Sequence, residues 1–156
     1  MEVAIVRPED GDAIQLGPIQ MRILEDGTTT DHRLGMGEIT QPPHTDGPPQ
    51  LRHSRHDEGF YVASGIASFT VGDTTYEAPA GTLVMVPPGA PHTFANPGDE
   101  PTVLLNTFTP DLYVQYFKDL RDMIAAGQPF TPEATVEVMA RYATVPATNY
   151  AGAPSP

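Results

Sequence analysis

Residues 81–96 read GTLVMVPPGAPHTFAN, and this stretch decides the fold class. Two short apolar runs, at 82–86 and 92–95, flank a turn rich in proline and glycine. Short apolar runs bounded by such turns are typical of antiparallel strands. His92, Phe94 and Asn96 alternate along the second run, so we expect them to share one face of a strand.

Short apolar runs separated by proline- and glycine-rich turns continue in both directions along the chain. Val71-Gly72-Asp73-Thr74 predicts a two-residue hairpin, because Gly72 can adopt the positive φ that such a turn requires. Many short, evenly spaced strands predict an all-β domain folded as a single β-barrel. The predicted strands are Ile19–Leu24, Arg33–Ile39, Gln50–His53, Glu58–Ala63, Ala67–Val71, Thr75–Ala78, Thr82–Val86, His92–Ala95 and Thr102–Phe108.

From Pro110 the pattern becomes helical. Thr109 is the predicted N-cap, and apolar residues then recur at helical spacing until Gly127. Thr131-Pro132-Glu133 predicts the start of a second helix, which runs to about Tyr142. We expect the two helices to cap one end of the barrel. The predicted division is N-terminal strands at 1–34, a core at 35–109, helices at 110–144 and a Pro/Ala-rich tail at 145–156, which forms an arm or a mobile end.

The composition of the chain limits the classes of molecule that it can bind. The 156 residues fit one domain, and 8 Lys+Arg against 20 Asp+Glu give a formal net charge of −12 at pH 7. This negative field repels phosphate backbones and anionic lipid surfaces, so nucleic acid and membrane are poor partners. Cysteine is absent, which excludes thiolate metal sites. With no long apolar span and no signal-peptide pattern, we expect a soluble cytoplasmic protein that acts on a small molecule.

A second stretch, GPPQLRHSRHDEGFYVASG at 47–65, carries the candidate chemistry. Leu51 and His53 share one strand face, and Glu58 can face the same interior only if the chain bends at 54–57. Together with His92, these side chains can converge inside a barrel. A buried carboxylate needs a cation or a proton, and two imidazoles with a carboxylate suit a divalent transition metal. They match the 2-His-1-carboxylate facial set, which leaves positions open for substrate and O₂.

The two stretches resemble the two sequence signatures of the cupin superfamily. Residues 81–96 fill every fixed position of the second signature: glycine, five residues, proline, one, glycine, two, histidine, three, asparagine. In the first signature, His53, Glu58 and Gly65 fit, and Leu51 stands where the family has its first histidine. The resemblance implies a small jelly-roll-like β-barrel, often a homodimer, that binds Fe, Mn, Ni, Cu or Zn through three histidines and a glutamate.

Carried over by position, the resemblance makes His53, Glu58 and His92 the metal ligands and catalytic residues, with a fourth ligand lost at Leu51. The single-domain form is similar to small-molecule and quercetin dioxygenase-like cupins. We therefore expect a metal-dependent, dioxygenase-like enzyme for an aromatic or enolic metabolite. The alternatives are a redox-neutral cyclase, isomerase or decarboxylase that uses a metal or Glu58/His acid–base chemistry, and a non-catalytic ligand-binding cupin.

The surroundings of these residues allow further predictions and their alternatives. Six apolar residues form the predicted substrate wall, although side chains of this kind also fill barrel interiors that bind nothing: Met36, Leu51, Phe60, Val62, Phe94 and Phe108. Arg52 and Arg55 are predicted in surface ion pairs, with a carboxylate clamp as the alternative. His56 is expected to be solvated, or to become a substitute ligand if its loop bends inward. Without a metal, His53 and His92 would hydrogen-bond Glu58.

Overall fold

A computed structural model describes residues 2–147 of the chain. These residues form a predominantly β domain with two helices. The strands are β1 (Asp12–Leu16), β2 (Ile19–Glu25), β3 (Gly35–Gln41), β4 (Leu51–His53), β5 (Asp57–Ser64), β6 (Ile66–Val71), β7 (Thr74–Pro79), β8 (Leu83–Val86), β9 (His92–Ala95), β10 (Thr102–Thr109) and β11 (Thr144–Pro146), and the helices are α1 (Leu112–Ala125) and α2 (Pro132–Arg141).

The strands form two antiparallel sheets. One sheet has the order β1-β2-β3-β10-β5-β8, and the other has the order β11-β4-β9-β6-β7. The predicted all-β class with two C-terminal helices is confirmed. Among the described residues, however, the sheets stay separate and do not join into one closed barrel. The chain passes from one sheet to the other between β8 and β9, where the prolines at 87, 88 and 91 cannot donate to a strand ladder.

The core lies between the inner faces of the sheets and against α1. Along β3 buried and half-buried residues alternate strictly, as expected for a strand with one face toward the core. Burying each large apolar side chain here contributes about 1.5–3 kcal/mol. Those that are almost completely buried are Phe60, Phe69, Phe108, Met21, Leu104 and Leu120.

Some strand boundaries differ from the prediction. The hairpin is confirmed, because Val71 pairs with Thr74 and Gly72 has a φ of 60°. In contrast, β1 and β11 were not predicted, and Val145, which the sequence assigns to a tail, pairs with Arg52. The rest of the predicted tail, residues 148–156, lies outside the described residues.

The two helices begin differently. Thr131 caps α2 as predicted, since its side chain accepts a hydrogen bond from the N–H of Ala134 at 3.2 Å. The prediction that Thr109 caps α1 is wrong: Thr109 is the last residue of β10 and pairs with Asp57, and the N-cap position is Asp111. Neither helix of the described part is long and apolar enough to cross a membrane.

Asn96 ties the strand ends together. Its Nδ2 donates to the carbonyl oxygens of Gln41, Pro42 and Glu100 at 3.2, 3.0 and 2.8 Å, and its Oδ1 accepts from the N–H of Gly98 at 3.1 Å. The last residue of the 81–96 stretch therefore has a structural role: it holds the end of β9 against the loops that follow β3 and precede β10.

Candidate metal centre

Glu58 lies at the centre of the site, on the inner face of β5. Its Oε2 atom is 2.9 Å from His53 Nε2 and 2.8 Å from His92 Nε2. Its Oε1 atom accepts a hydrogen bond from Asn106 Nδ2 at 3.0 Å. All four residues are buried. The potential ligand atoms of His53, Glu58 and His92 lie within 4.8 Å of one another, so these three residues can hold one metal ion.

Both sheets contribute to this group. His53 ends β4 and His92 begins β9 in the five-stranded sheet, whereas Glu58 belongs to β5 in the six-stranded sheet. Residues 54–56 carry the chain from one sheet to the other, which is the bend that the five-residue spacing of His53 and Glu58 requires. Leu51 pairs in register with His92 and therefore lies beside the group.

The hydrogen bonds behind the imidazoles fix their tautomers. His53 Nδ1 is 2.8 Å from Thr144 Oγ1, and the single hydroxyl proton of Thr144 is donated to the carbonyl of Tyr142. Thr144 therefore accepts a hydrogen bond from His53 Nδ1–H. His92 Nδ1 is 3.0 Å from the carbonyl oxygen of Ala90, which can only accept, so this nitrogen also carries a proton. When neutral, both rings present a lone pair on Nε2 toward Glu58 Oε2.

Two lone pairs that face a carboxylate oxygen repel it unless something positive lies among them. A divalent cation satisfies all three donors at once, and metal-bound histidines usually donate their other ring N–H to such an acceptor. Donor atoms held at right angles ~2.1 Å from one ion lie ~3 Å apart, close to the separations observed here. Protonation of the imidazoles is the metal-free alternative. The donor set therefore fits a divalent transition metal.

The pKa values of the site reflect burial and pairing. In the metal-free alternative, burial alone raises the pKa of Glu58, but the hydrogen bonds from the protonated imidazoles of His53 and His92 outweigh it and bring that pKa well below its usual range. Burial lowers the pKa of His92, and the hydrogen bond to Glu58 outweighs this effect and raises it. The group thus keeps an ionised carboxylate in an apolar interior.

His56 differs from its expected placement. It is only 2% exposed, because the chain turns inward at 54–56, so the prediction of a solvated side chain is wrong. Its ring packs 4.4 Å from that of His53 and 5.3 Å from that of Tyr113, measured between centroids. Burial, and then the neighbouring His53, lower its pKa to about 4. His56 is not one of the three residues whose ligand atoms converge.

A cavity of about 480 Å³ opens beside the three candidate ligands. Leu51 and Phe94 form part of its wall, together with side chains from α1, α2 and the β1–β2 turn. The other four residues of the predicted wall lie elsewhere. Phe60, Val62 and Phe108 are fully buried in the core, and Met36 lies on the outer face of β3, opposite to Ile39. Neither Arg52 nor Arg55 lines the cavity.

The chain also matches known proteins. A profile described as "Cupin domain" matches residues 37–108. A predicted oxalate decarboxylase from Thermotoga maritima superposes with a TM-score of 0.64 at 16% identity, over 69% of this chain and 99% of that one. The polyketide cyclase RemF from Streptomyces resistomycificus gives 0.62 at 20% identity, over 69% and 80%. Residues 37–108 thus form a cupin domain, and the superposed structures share the cupin fold. KdgF from Halomonas sp. is a further cupin-fold match, with a TM-score of 0.62 at 17% identity over 70% and 94% of the chains.

The superfamily includes several reaction types. Solved structures similar to this cupin carry names that include a decarboxylase and a cyclase, and at these identities the similarity shows the fold. No curated protein sequence gives a significant match to the chain.

Three residues around the centre of this cupin were not predicted. Asn106 could have been recognised, because it is a polar residue on the inward-facing side of β10, between Leu104 and Phe108. Tyr113, whose ring centroid lies 4.3 Å from that of His53, lies within the predicted first helix and gives no separate signal. Thr144 gives no local signal, since only its pairing with His53 across β4 and β11 places it in the site.

Proposed function

We propose that this cupin is a metal-dependent enzyme for small molecules, with His53, Glu58 and His92 as the ligands. The observation that carries the proposal is that three donor lone pairs converge at one end of a mainly apolar cavity. Two imidazoles and one carboxylate are the set used by non-haem iron oxygenases, which keep positions open for substrate and O₂. A dioxygenase-like reaction on an aromatic or enolic metabolite is therefore our first proposal.

The protein's own groups have defined parts in this chemistry. When bound, the divalent metal supplies a Lewis acid and, if it is redox-active, a site for O₂ chemistry. His53 and His92 are held by Thr144 and Ala90, so their Nε2 atoms stay aimed at the ion. Asn106 holds the Oε1 atom of Glu58 and leaves Oε2 toward the histidines. The apolar wall excludes water from the reacting end of the substrate.

A redox-neutral reaction is the second proposal. It is supported by the structurally similar cupins named as a decarboxylase and a polyketide cyclase. In such a reaction Glu58 Oε2, or an adjacent His Nε2, would move a proton while a substrate carbonyl is polarised. Leu51 favours this proposal too, because the missing fourth ligand weakens the hold on a redox-active ion.

Metal analysis tests the proposal. Protein purified without chelator or affinity tag is expected to contain about one transition metal per chain, and His92→Ala is expected to lose it. His44→Ala, which removes an exposed histidine, is the matched control. A metal content that is near zero in the unaltered protein, or unchanged in His92→Ala, contradicts the assignment.

Loading with Fe(II) and exposure to nitric oxide, an analogue of O₂, separates the two reaction types. A high-spin iron–nitrosyl EPR signal that disappears in His92→Ala supports the oxygenase. Zinc as the metal present after purification, with no nitrosyl signal after iron loading, supports redox-neutral chemistry.

We also propose that this cupin is a homodimer. Tyr61, Leu83 and Met85 are 44%, 61% and 55% exposed on the outer face of β5 and β8. Leu83 lies directly across from Tyr61, and Met85 from Gly59, so the three side chains share one face. Exposed apolar faces of this kind are typical of interfaces between subunits. A cytoplasmic location stays a prediction of the sequence.

A further inference from the structure

The cavity beside the metal centre has one polar end and apolar walls. Glu58, His53 and His92 form the polar end. The walls come from both sheets and both helices and consist largely of aliphatic and aromatic side chains. They include Met21, Ile39, Leu51, Phe94, Phe117 and Met139.

Positive charge is missing from these walls. Among the described residues, no Lys or Arg lines the cavity, and residues 148–156 contain neither. The carboxylates that do line it are Glu58 at the polar end and Asp46. The whole chain adds a net charge of −12. A phosphate, sulfonate or carboxylate lying against these walls would find no cation to pair with.

Such an unpaired charge is strongly disfavoured. Moving an ionised group from water into an apolar environment without a partner costs several kcal/mol. A volume of about 480 Å³ lies within the range of ~300–1,000 Å³ that accommodates drug-sized molecules. The cavity can therefore hold a ring compound of moderate size, but its walls select against charge.

We infer that the substrate is an uncharged, largely apolar ring compound that presents one polar oxygen to the metal centre. The orientation of the substrate, with its oxygen toward the metal centre, rests on the proposed function. The inference deepens that proposal by excluding compounds that would place an ionised group against the walls, such as dicarboxylates and phosphorylated sugar acids, which carry charge at both ends.

Two matched probes test the selection against charge. The first is 2-naphthol, and the second is 6-hydroxynaphthalene-2-sulfonate, which has the same rings and hydroxyl with an anionic group at the far end. By isothermal titration calorimetry on the full chain, 2-naphthol is expected to bind at least about tenfold more tightly. Equal or tighter binding of the sulfonate, or no binding of either probe, would overturn the inference.

Adding a positive charge to the cavity wall tests whether the wall causes the selection against anions. Thr135 lines the cavity from α2, so Thr135→Lys places a cation in the wall and is expected to strengthen sulfonate binding about tenfold. Thr75→Lys, on the exposed part of β7, adds the same charge elsewhere and is expected to change neither affinity. If both variants strengthen sulfonate binding alike, the net charge of the chain is responsible and the wall is not.

The same titrations on chelator-treated protein separate this inference from the proposed function. The preference for 2-naphthol comes from the walls and is expected to persist without the ion. A protein that holds no metal but keeps the preference contradicts only the proposed function. A protein that holds its metal but prefers the sulfonate contradicts only the inference.

Discussion

The direction of the two imidazoles depends on groups behind them. Thr144 and the carbonyl of Ala90 each accept a ring N–H, so the Nε2 lone pairs of His53 and His92 face Glu58. The Ala90 acceptor belongs to the backbone and survives any side-chain replacement. The Thr144 acceptor is a single hydroxyl, which makes it the part of the arrangement that a mutation can remove.

Replacing Thr144 by valine keeps the shape and branching of the side chain and removes only the hydroxyl. His53 Nδ1–H then loses its partner, and the ring is free to change its tautomer or rotate. We expect Thr144→Val to weaken metal binding roughly 10- to 100-fold, the usual effect of losing a residue that supports a ligand. Competition with a chelator of known affinity measures the change.

Thr75→Val on the exposed part of β7 is the control, since it removes a surface hydroxyl of the same kind. Metal affinity that is unchanged in Thr144→Val, relative to this control, would show that Thr144 does not orient His53.

At this scale the sequence locates the candidate ligands better than the residues that support them. His53, Glu58 and His92 were found because strand alternation and motif spacing act over a few residues. Thr144 lies 91 positions from the histidine it contacts, and no local pattern reports such a contact. The prediction of a solvated His56 was wrong for a related reason: the burial of this side chain depends on where the chain crosses between the sheets.

Among the elements, α1 is attached to the six-stranded sheet by polar contacts near the end of β2. Lys118, the only lysine of the chain, pairs with the carboxylate of Asp26, and Gln115 Nε2 donates to the carbonyl of Asp26 at 3.2 Å. The hydrogen bond from Lys118, followed by that from Thr28, lowers the pKa of Asp26 from 3.8 to about 2.

This lowered pKa predicts a dependence of stability on pH. Because the folded pKa lies below the unfolded one, the contribution is present above pH 3.8 and is lost as the pH falls through about 2. The pair is partly exposed, so we expect Asp26→Asn to lower the free energy of unfolding by about 0.2–1 kcal/mol at neutral pH. Urea denaturation at a series of pH values is expected to show this difference shrinking below pH 3.8.

Asp73→Asn, in the β6–β7 turn, controls for the loss of one negative charge. A difference between Asp26→Asn and the unaltered protein that stays constant down to about pH 2 would contradict the electrostatic origin.

The elements also show where local patterns stop being informative. The central strands were predictable because each alternates over four or more residues. β11 has three residues and ends in proline, so its strand conformation depends on its pairing with β4. Thr109 was the predicted N-cap of α1, but its pairing with Asp57 assigns Thr109 to β10, and Asp111 takes the N-cap position. In both places a long-range pairing overrides the local preference.

At the scale of the whole molecule, the outer face of the six-stranded sheet explains one misplaced residue. Met36, Thr107, Gly59 and Met85 lie in one row across β3, β10, β5 and β8. Met36 was predicted in the substrate wall, but its strand phase directs it to this outer row. Composition alone cannot decide which face of an apolar strand points inward.

Introducing a charge into this outer face tests the proposed homodimer. Met85→Glu places a carboxylate in an apolar interface, where it would lose its hydration without gaining a partner. We expect the unaltered protein to run as a dimer and Met85→Glu as a monomer, with unchanged circular dichroism. Light scattering coupled to size-exclusion chromatography gives the two masses. Ile66→Glu, an equally exposed position on β6, is expected to stay dimeric, and a monomeric unaltered protein would contradict the proposal.

The position of β11 near the end of the described chain has a consequence for the synthesis of the protein on the ribosome. The chain emerges from its N-terminus, and Thr144 is synthesised 91 residues after His53. At ~5–20 residues per second, this interval lasts roughly 5 to 20 s. Once His92 has also been synthesised, both histidines and Glu58 are present in the nascent chain, yet β4 still lacks its neighbour β11 and His53 lacks its acceptor. A nascent chain therefore passes through a period in which its candidate metal ligands exist but the geometry around His53 is incomplete, and this geometry is completed only when the strand that follows both helices has docked.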